Sequence, residues 1–361
     1  MTGTPLPNAP ENRDDDSAHG CWWPTPAAAT GLGPMPGTDP HEAMNVVAGE
    51  FTDFVHLIEL PERGPGADAI GRTAALLAEA DRSFEVETTP SGWRLGHAGH
   101  SVLRKARAYI SQDIDALEEF TVGYVGALKV SIAGPWALAA EVADPAGEAV
   151  IRDRGAVSEL AAALAETVRD LIARVARAVP GAHLVIELVE DVIPGVLAGR
   201  IRMTSGRLFH RSVEPMVVQT HLGTVVQGIH EAGARAAIRC FTPRTPVDLL
   251  IGAGADAVSV NLAVALDDQE ALPRAWEAGV GLLLGCVPVS RAVDRSTDTA
   301  VSAPLREFMS RSGFGEVPRN VAITPQGGLA AVDMPTARAV IAACRRVGSI
   351  VRDDLEASRA P

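Results

Sequence analysis

The sequence predicts an α/β fold, a (β/α)8 TIM barrel. Eight short runs rich in Val, Ile and Leu recur along the chain, with stretches of apolar spacing near 3.6 between them. Three late runs stop abruptly at polar, thiol or glycine residues: AAIRC (236–240), AVSVN (257–261) and VAITPQGG (321–328). Continuous apolar runs suit parallel strands covered by helices, and barrels place their chemistry where such strands end. An open doubly wound sheet competes, but no G-x-G-x-x-G follows the first run. GLGPMPG at 31–37 holds too many prolines to open a helix with free N–H groups.

Taken in order, residues 1–25 are acidic and Pro-rich, which predicts a disordered tail. They lack the apolar stretch of a secretory signal. The barrel is assigned to 26–357. Its strands are expected at Ala28–Leu32, Phe54–Leu60, Leu128–Ala133, His183–Val189, Arg235–Cys240, Ala255–Asn261, Gly281–Gly285 and Asn320–Thr324. Helices are expected at His41–Phe51, Ala67–Ala80, Ser101–Phe120, Val157–Val179, Val213–Ala232, Pro246–Gly252, Asp267–Glu277, Thr299–Ser312 and Pro335–Val347. Asp39 suits the N-cap of the first, with Pro40 in its opening turn. Phe84–Leu95 alternates around Pro90-Ser91-Gly92, predicting a β-hairpin insertion. Leu197–Phe209 is an Arg- and Gly-bearing loop of the kind that carries substrate contacts.

With 45 acidic against 32 basic residues, the formal charge is −13. That argues against nucleic acid and anionic membranes as partners, and 4% aromatic residues argue against base stacking. A small-molecule ligand is expected; the oligomeric state stays open. Cys21, Cys240, Cys286 and Cys344 lie far apart, which fits a reducing cytoplasm rather than a disulfide framework.

At the strand ends, Cys240 is a candidate zinc ligand or nucleophile, and Cys286 has a similar claim; a free cysteine is otherwise a small buried apolar residue. No histidine adjoins Cys240. Glu187, Glu190 and Asp191 crowd one strand end, where neighbouring carboxylates raise each other's pKa and serve as acid or base. Glu190, Glu187 and Cys286 are the catalytic candidates. Glu59, Glu62, Pro34 and Asn261 are the expected substrate-binding positions. Glu62 pairing with Arg63 in a surface loop is the plainer reading. Arg239 is expected to point outward, since it and Cys240 face opposite sides of one strand.

Several segments occur in a telling order: TGLGPMPGT (30–38), ELPERGPGAD (59–68), AGPW (133–136), VIELVED (185–191), AIRC (237–240), ADAVSV (255–260) and TPQGGLA (324–330). Together they resemble the catalytic barrel of cobalamin-independent methionine synthases, and more closely an actinobacterial single-barrel branch, from Ala29 to Val351. The resemblance implies a methyltransferase acting on a thiol such as homocysteine, of the 5-methyltetrahydropteroyltriglutamate–homocysteine S-methyltransferase kind, with zinc activating the thiol and methyl-folate as donor. It places Cys240 on one zinc ligand. Ile238, Asn261 and Gly327 stand at the other three, so the zinc site is degraded and zinc is not expected to bind. Pro34 replaces the serine of a Gly-Ser-x-Pro turn, and Val189-Glu190-Asp191 stands at an acidic pair. Two alternatives follow. One is a diverged non-catalytic barrel that binds a small molecule or partner. The other is a metal-free acid–base enzyme like the uroporphyrinogen decarboxylases, with Arg239, Arg202 and Glu190 at the mouth.

Overall fold

The computed structural model describes residues 25–98, 100–264, 268, 270–311 and 320–357. Apart from Thr25, the expected tail lies outside the described residues, as does Cys21.

The first helix, α1 (Pro40–Glu50), starts where Asp39 accepts the N–H groups of His41 and Glu42. It leads into β1 (Phe54–His56) and a 3-10 turn over Pro61–Arg63. Next come α2 (Ala69–Ala80), the hairpin β2 (Val86–Thr89) and β3 (Gly92–Leu95), and α3 (His100–Phe120). β4 (Ala127–Ala133), α4 (Pro135–Glu141), β5 (Val142–Ala143) and α5 (Arg154–Ala178) follow. The remainder alternates: β6 (His183–Val189), α6 (Ile193–Leu197), α7 (Pro215–Glu231), β7 (Arg235–Cys240), α8 (Val247–Gly252), β8 (Ala257–Asn261), α9 (Ala271–Glu277), β9 (Gly281–Val287), α10 (Asp298–Arg311), β10 (Val321–Pro325) and α11 (Met334–Ala357). No helix among the described residues is long and apolar enough to cross a membrane.

Seven strands form one parallel sheet in the order β1-β4-β6-β7-β8-β9-β10. The sheet curls, and the segment expected as the first of eight strands sits at its seam. That segment makes single bridges, Ala29 to Ile323 of β10 and Pro34 to Glu59 beyond β1, rather than a ladder. The reason is local. Pro34 has no N–H to give, and the Gly31 N–H goes to Nδ1 of His56 at 3.2 Å instead of to a backbone carbonyl. The His56 ring fills the space a Cβ at Gly31 would need, so only glycine fits there. The expected closed eight-stranded ladder is therefore a curled sheet of seven strands with a bridged seam, and β1 ends at His56 rather than Leu60.

The curl encloses a small core of its own. Ala28, Phe54, Ala127, Val185, Ala237, Ala257, Leu283 and Ala322 form a buried cluster separate from the larger core between sheet and helices. Each of the seven strands and the seam segment supplies one member. The hairpin joins β5 in a second, three-stranded sheet.

Candidate functional site

Two residues beyond each member of the small-residue cluster stand Thr30, His56, Lys129, Glu187, Arg239, Ser259, Gly285 and Thr324. Strand side chains alternate faces, so this second tier shares the interior with the first. Seven of the eight are polar. Thr30, Lys129, Glu187, Ser259 and Thr324 are fully buried. The hydroxyls of Thr30, Ser259 and Thr324, Nε of Arg239 and Nε2 of His56 find no hydrogen-bond partner among the described residues. Leaving a buried polar group unpaired costs about 1–3 kcal/mol, so five in one tier mark a region equipped to be satisfied by something polar.

The charges meet at Glu187. Lys129 Nζ donates to its Oε1 at 2.9 Å and Ser131 Oγ to its Oε2 at 2.8 Å. Arg239 Nη1 stands 3.9 Å from the same Oε2. Burial by itself would push the Glu187 carboxyl up, but Lys129, Arg239 and Ser131 together hold it below the usual range. Burial pulls the Lys129 ammonium down against the attraction of Glu187.

Arg239 is held loosely. Its Nη1 reaches the Leu32 carbonyl and its Nη2 reaches Asp191 Oδ2, both at 3.4 Å, beyond the usual length for such bonds. Its guanidinium lies 5.7 Å from the centre of the Phe241 ring. Beside it, the Glu59 carboxyl packs where Gly33, at φ 102°, leaves no side chain. No side chain among the described residues hydrogen-bonds to it. Burial pushes it up to about 7, against the pull of Arg72 and Arg239. Burial, with Lys129 adding to it, lowers His56 to about 3, and its Nδ1 accepts from Gly31, so the neutral ring carries its proton on Nε2.

The expected site residues do not gather here as a group. Glu187 and Glu59 do, but the three crowded carboxylates part company. Glu190 turns away and accepts the N–H groups of Trp136 and Ala137, both at 2.9 Å, capping α4. Burial raises it to about 8 despite those two donors. Asp191 accepts the Phe241 N–H at 2.6 Å and so sets the turn after β7.

Arg239 faces inward and Cys240 outward, which corrects the expectation for Arg239. The two residues do face opposite sides of β7, but the interior face belongs to Ala237 and Arg239. Cys240 and Ile238 pack in the core between sheet and helices. Cys286 packs on that side too, with burial pushing its thiol up to about 12. Asn261 ties strand ends together, donating to the Gln326 carbonyl at 3.0 Å and accepting from Ala263 N–H at 2.8 Å. Pro34 bridges Glu59 and accepts the Leu329 N–H, while Gly327 lies half-buried just past β10. Glu62 is exposed and accepts the Gly37 N–H. Its expected partner Arg63 instead turns in to the buried Asp113, which also receives Arg72. Arg202 stays in a surface hairpin, over Phe209.

Sequence reasoning passed over Lys129, Ser131, Ser259, Thr324 and Thr30. A signal was present: a lysine inside ALKVSIA, and polar residues at the third and fifth places of AVSVN.

The donors at the zinc positions implied by the resemblance do not fit the ion. Ile238 and Gly327 offer no side-chain donor, the Asn261 amide is already engaged, and the Cys240 thiol points to the opposite face from the polar tier. Among the described residues no three His, Cys, Asp or Glu side chains converge for a metal ion.

No family model matches the chain, and no curated protein matches it. Solved structures do. One is a B12-independent methionine synthase from Shewanella sp. W3-18-1 in complex with selenomethionine, 12% identical, TM-score 0.58, covering 92% of this chain and 99% of that one. Others are β-mannanase from the blue mussel Mytilus edulis (8%, TM-score 0.43, 89% and 91%) and tryptophan synthase from Pyrococcus furiosus (11%, TM-score 0.42, 92% and 99%). The latter two superpose too loosely to inform this chain. The first shares its barrel-like fold.

Proposed function

We propose that this chain is a metal-free barrel enzyme that binds a small carboxylic acid at the carboxyl ends of its strands. Arg239 receives the carboxylate and Glu59 exchanges a proton with the bound molecule. The observation that carries this reading is the unsaturated Arg239 fork. A half-buried guanidinium with long contacts, and an Nε without a hydrogen-bond partner among the described residues, is well suited to a planar, bidentate acid. Glu59 adds an acid–base group that titrates near neutrality. Both stand where barrels of this architecture hold substrates. Methyl transfer to a thiol is the weaker reading, because without a bound ion a thiol near pKa 8.5 is only a few per cent thiolate at pH 7. Glu59 favours acid–base chemistry over binding alone.

Calorimetric titration with acetate, propionate and malonate tests the site. The wild type is expected to bind at least one of them, and Arg239→Gln to weaken that binding by tenfold or more, about 1.4 kcal/mol. Equal affinity in the two proteins overturns the assignment. Purified protein is expected to carry far less than one zinc per chain and to keep its Tm in chelator. Stoichiometric zinc whose removal lowers Tm overturns the metal-free part.

A further inference from the structure

The second tier holds an amine that carboxylate binding does not use. The chain has two lysines among its 32 basic residues. Lys105 is exposed on α3. Lys129 is fully buried inside the curled sheet, with its Nζ on Glu187. If its task were only to balance a buried carboxylate, an arginine would serve, and this chain uses arginine almost everywhere else. What arginine cannot do is give up its proton and attack carbon.

The surroundings fit such an attack. Lys129 Nζ and Arg239 Nη1 flank one carboxyl group, at 2.9 Å from one oxygen and 3.9 Å from the other. A carboxylate seated on Arg239 would therefore bring its neighbouring carbon toward the amine. The unpartnered hydroxyls of Thr30, Ser259 and Thr324 lie in the same tier and are free to hold an oxygen. One step further along the strands, Ser131, Val189, Phe241, Asn261 and Gln326 are only half-buried, so the tier lies one layer beneath the surface at the strand ends.

We infer that Lys129 forms an imine with a 2-oxo acid whose carboxylate rests on Arg239. This rests on the carboxylate reading above and narrows its substrate to acids with an adjacent carbonyl. Glu187 first takes a proton from the ammonium. The free amine adds to the carbonyl carbon, forming the C–N bond, and a proton passes from nitrogen to oxygen. The resulting hydroxyl leaves as water with the proton that Glu187 holds. Ammonium and carbonyl thus become protonated imine and water, with nothing oxidised or reduced. The protonated imine then draws electrons from the adjoining C–C or C–H bond.

Incubation with pyruvate, 2-oxobutyrate or 2-oxoglutarate and cyanoborohydride, followed by intact mass and peptide mapping, tests this on the folded wild type. The expected result is one added acid residue per chain that needs both reagents, maps to Lys129, and persists in Lys105→Arg. Glu187→Gln is expected to slow labelling tenfold or more. Labelling confined to Lys105 or the amino terminus, or none at Lys129 with all three acids, overturns the inference. Propionate titration separates the two ideas: if propionate still binds through Arg239 while Lys129 stays unlabelled, only the imine falls. If neither occurs, both fall.

Discussion

Glu190 and Gly134 act as one unit. Gly134 opens α4 with no side chain of its own to cap it, and the Glu190 carboxyl occupies the space where a Cβ on Gly134 would sit. Gly134→Ala is expected to displace this cap and lower stability by about 1–2 kcal/mol; a denaturant midpoint equal to wild type would refute it. Glu59 makes a pH-dependent claim. Its carboxyl moves from 4.5 to about 7 on folding, so the folded state holds this proton more tightly. Its stabilising share is complete below about pH 4.5 and is lost as pH rises through 7. Glu59→Gln is therefore expected to match wild-type stability near pH 4 and to exceed it at pH 8 by on the order of 3 kcal/mol. The same variant is expected to lose activity, the usual relation between a strained functional group and its stable replacement. Urea titrations at the two pH values check the first part. At this scale the sequence showed which residue types stood at the strand ends. It did not show that Glu187, Glu190 and Asp191, adjacent in the chain, would serve an interior ion pair, a helix cap and a turn. One residue of pleat and one turn of backbone separate those fates.

The expected helices and seven of the eight expected strands were legible because their patterns are long and periodic. Most boundaries agree within a few residues. α4 and α6, 7 and 5 residues long, were missed. The hairpin was legible in its alternation and its Pro-Ser-Gly turn, but its anchorage was not. Asp68 caps α2 through the Gly71 N–H at 2.9 Å and also accepts from Trp93 Nε1 of β3 at 3.2 Å. Asp68→Ala is expected to cost about 1–2 kcal/mol through the lost cap. It should also speed hydrogen exchange in 86–95 more than in the seven-stranded sheet. Uniform exchange across both sheets would show that the hairpin is held elsewhere.

At the scale of the whole molecule, the interior tier dominated by alanine lets the sheet curl tightly enough for the seam segment to touch both of its edges. Enlarging it is expected to strain the curl. Ala257→Leu should destabilise by about 1–3 kcal/mol, whereas a Tm unchanged from wild type would mean that the interior has room to spare. The alternating α/β class followed from the sequence alone, because alternation of apolar runs and helical spacing is a local property that each segment carries; the bridged seam in place of an eighth strand did not. What only the tertiary structure decided is which face of each strand looks inward. The pleat relates neighbours to one another but gives no absolute direction. That direction is set by which side the helices cover, and the helices put Cys240 and Cys286 in the outer core and turned Lys129, Glu187 and Arg239 toward one another inside.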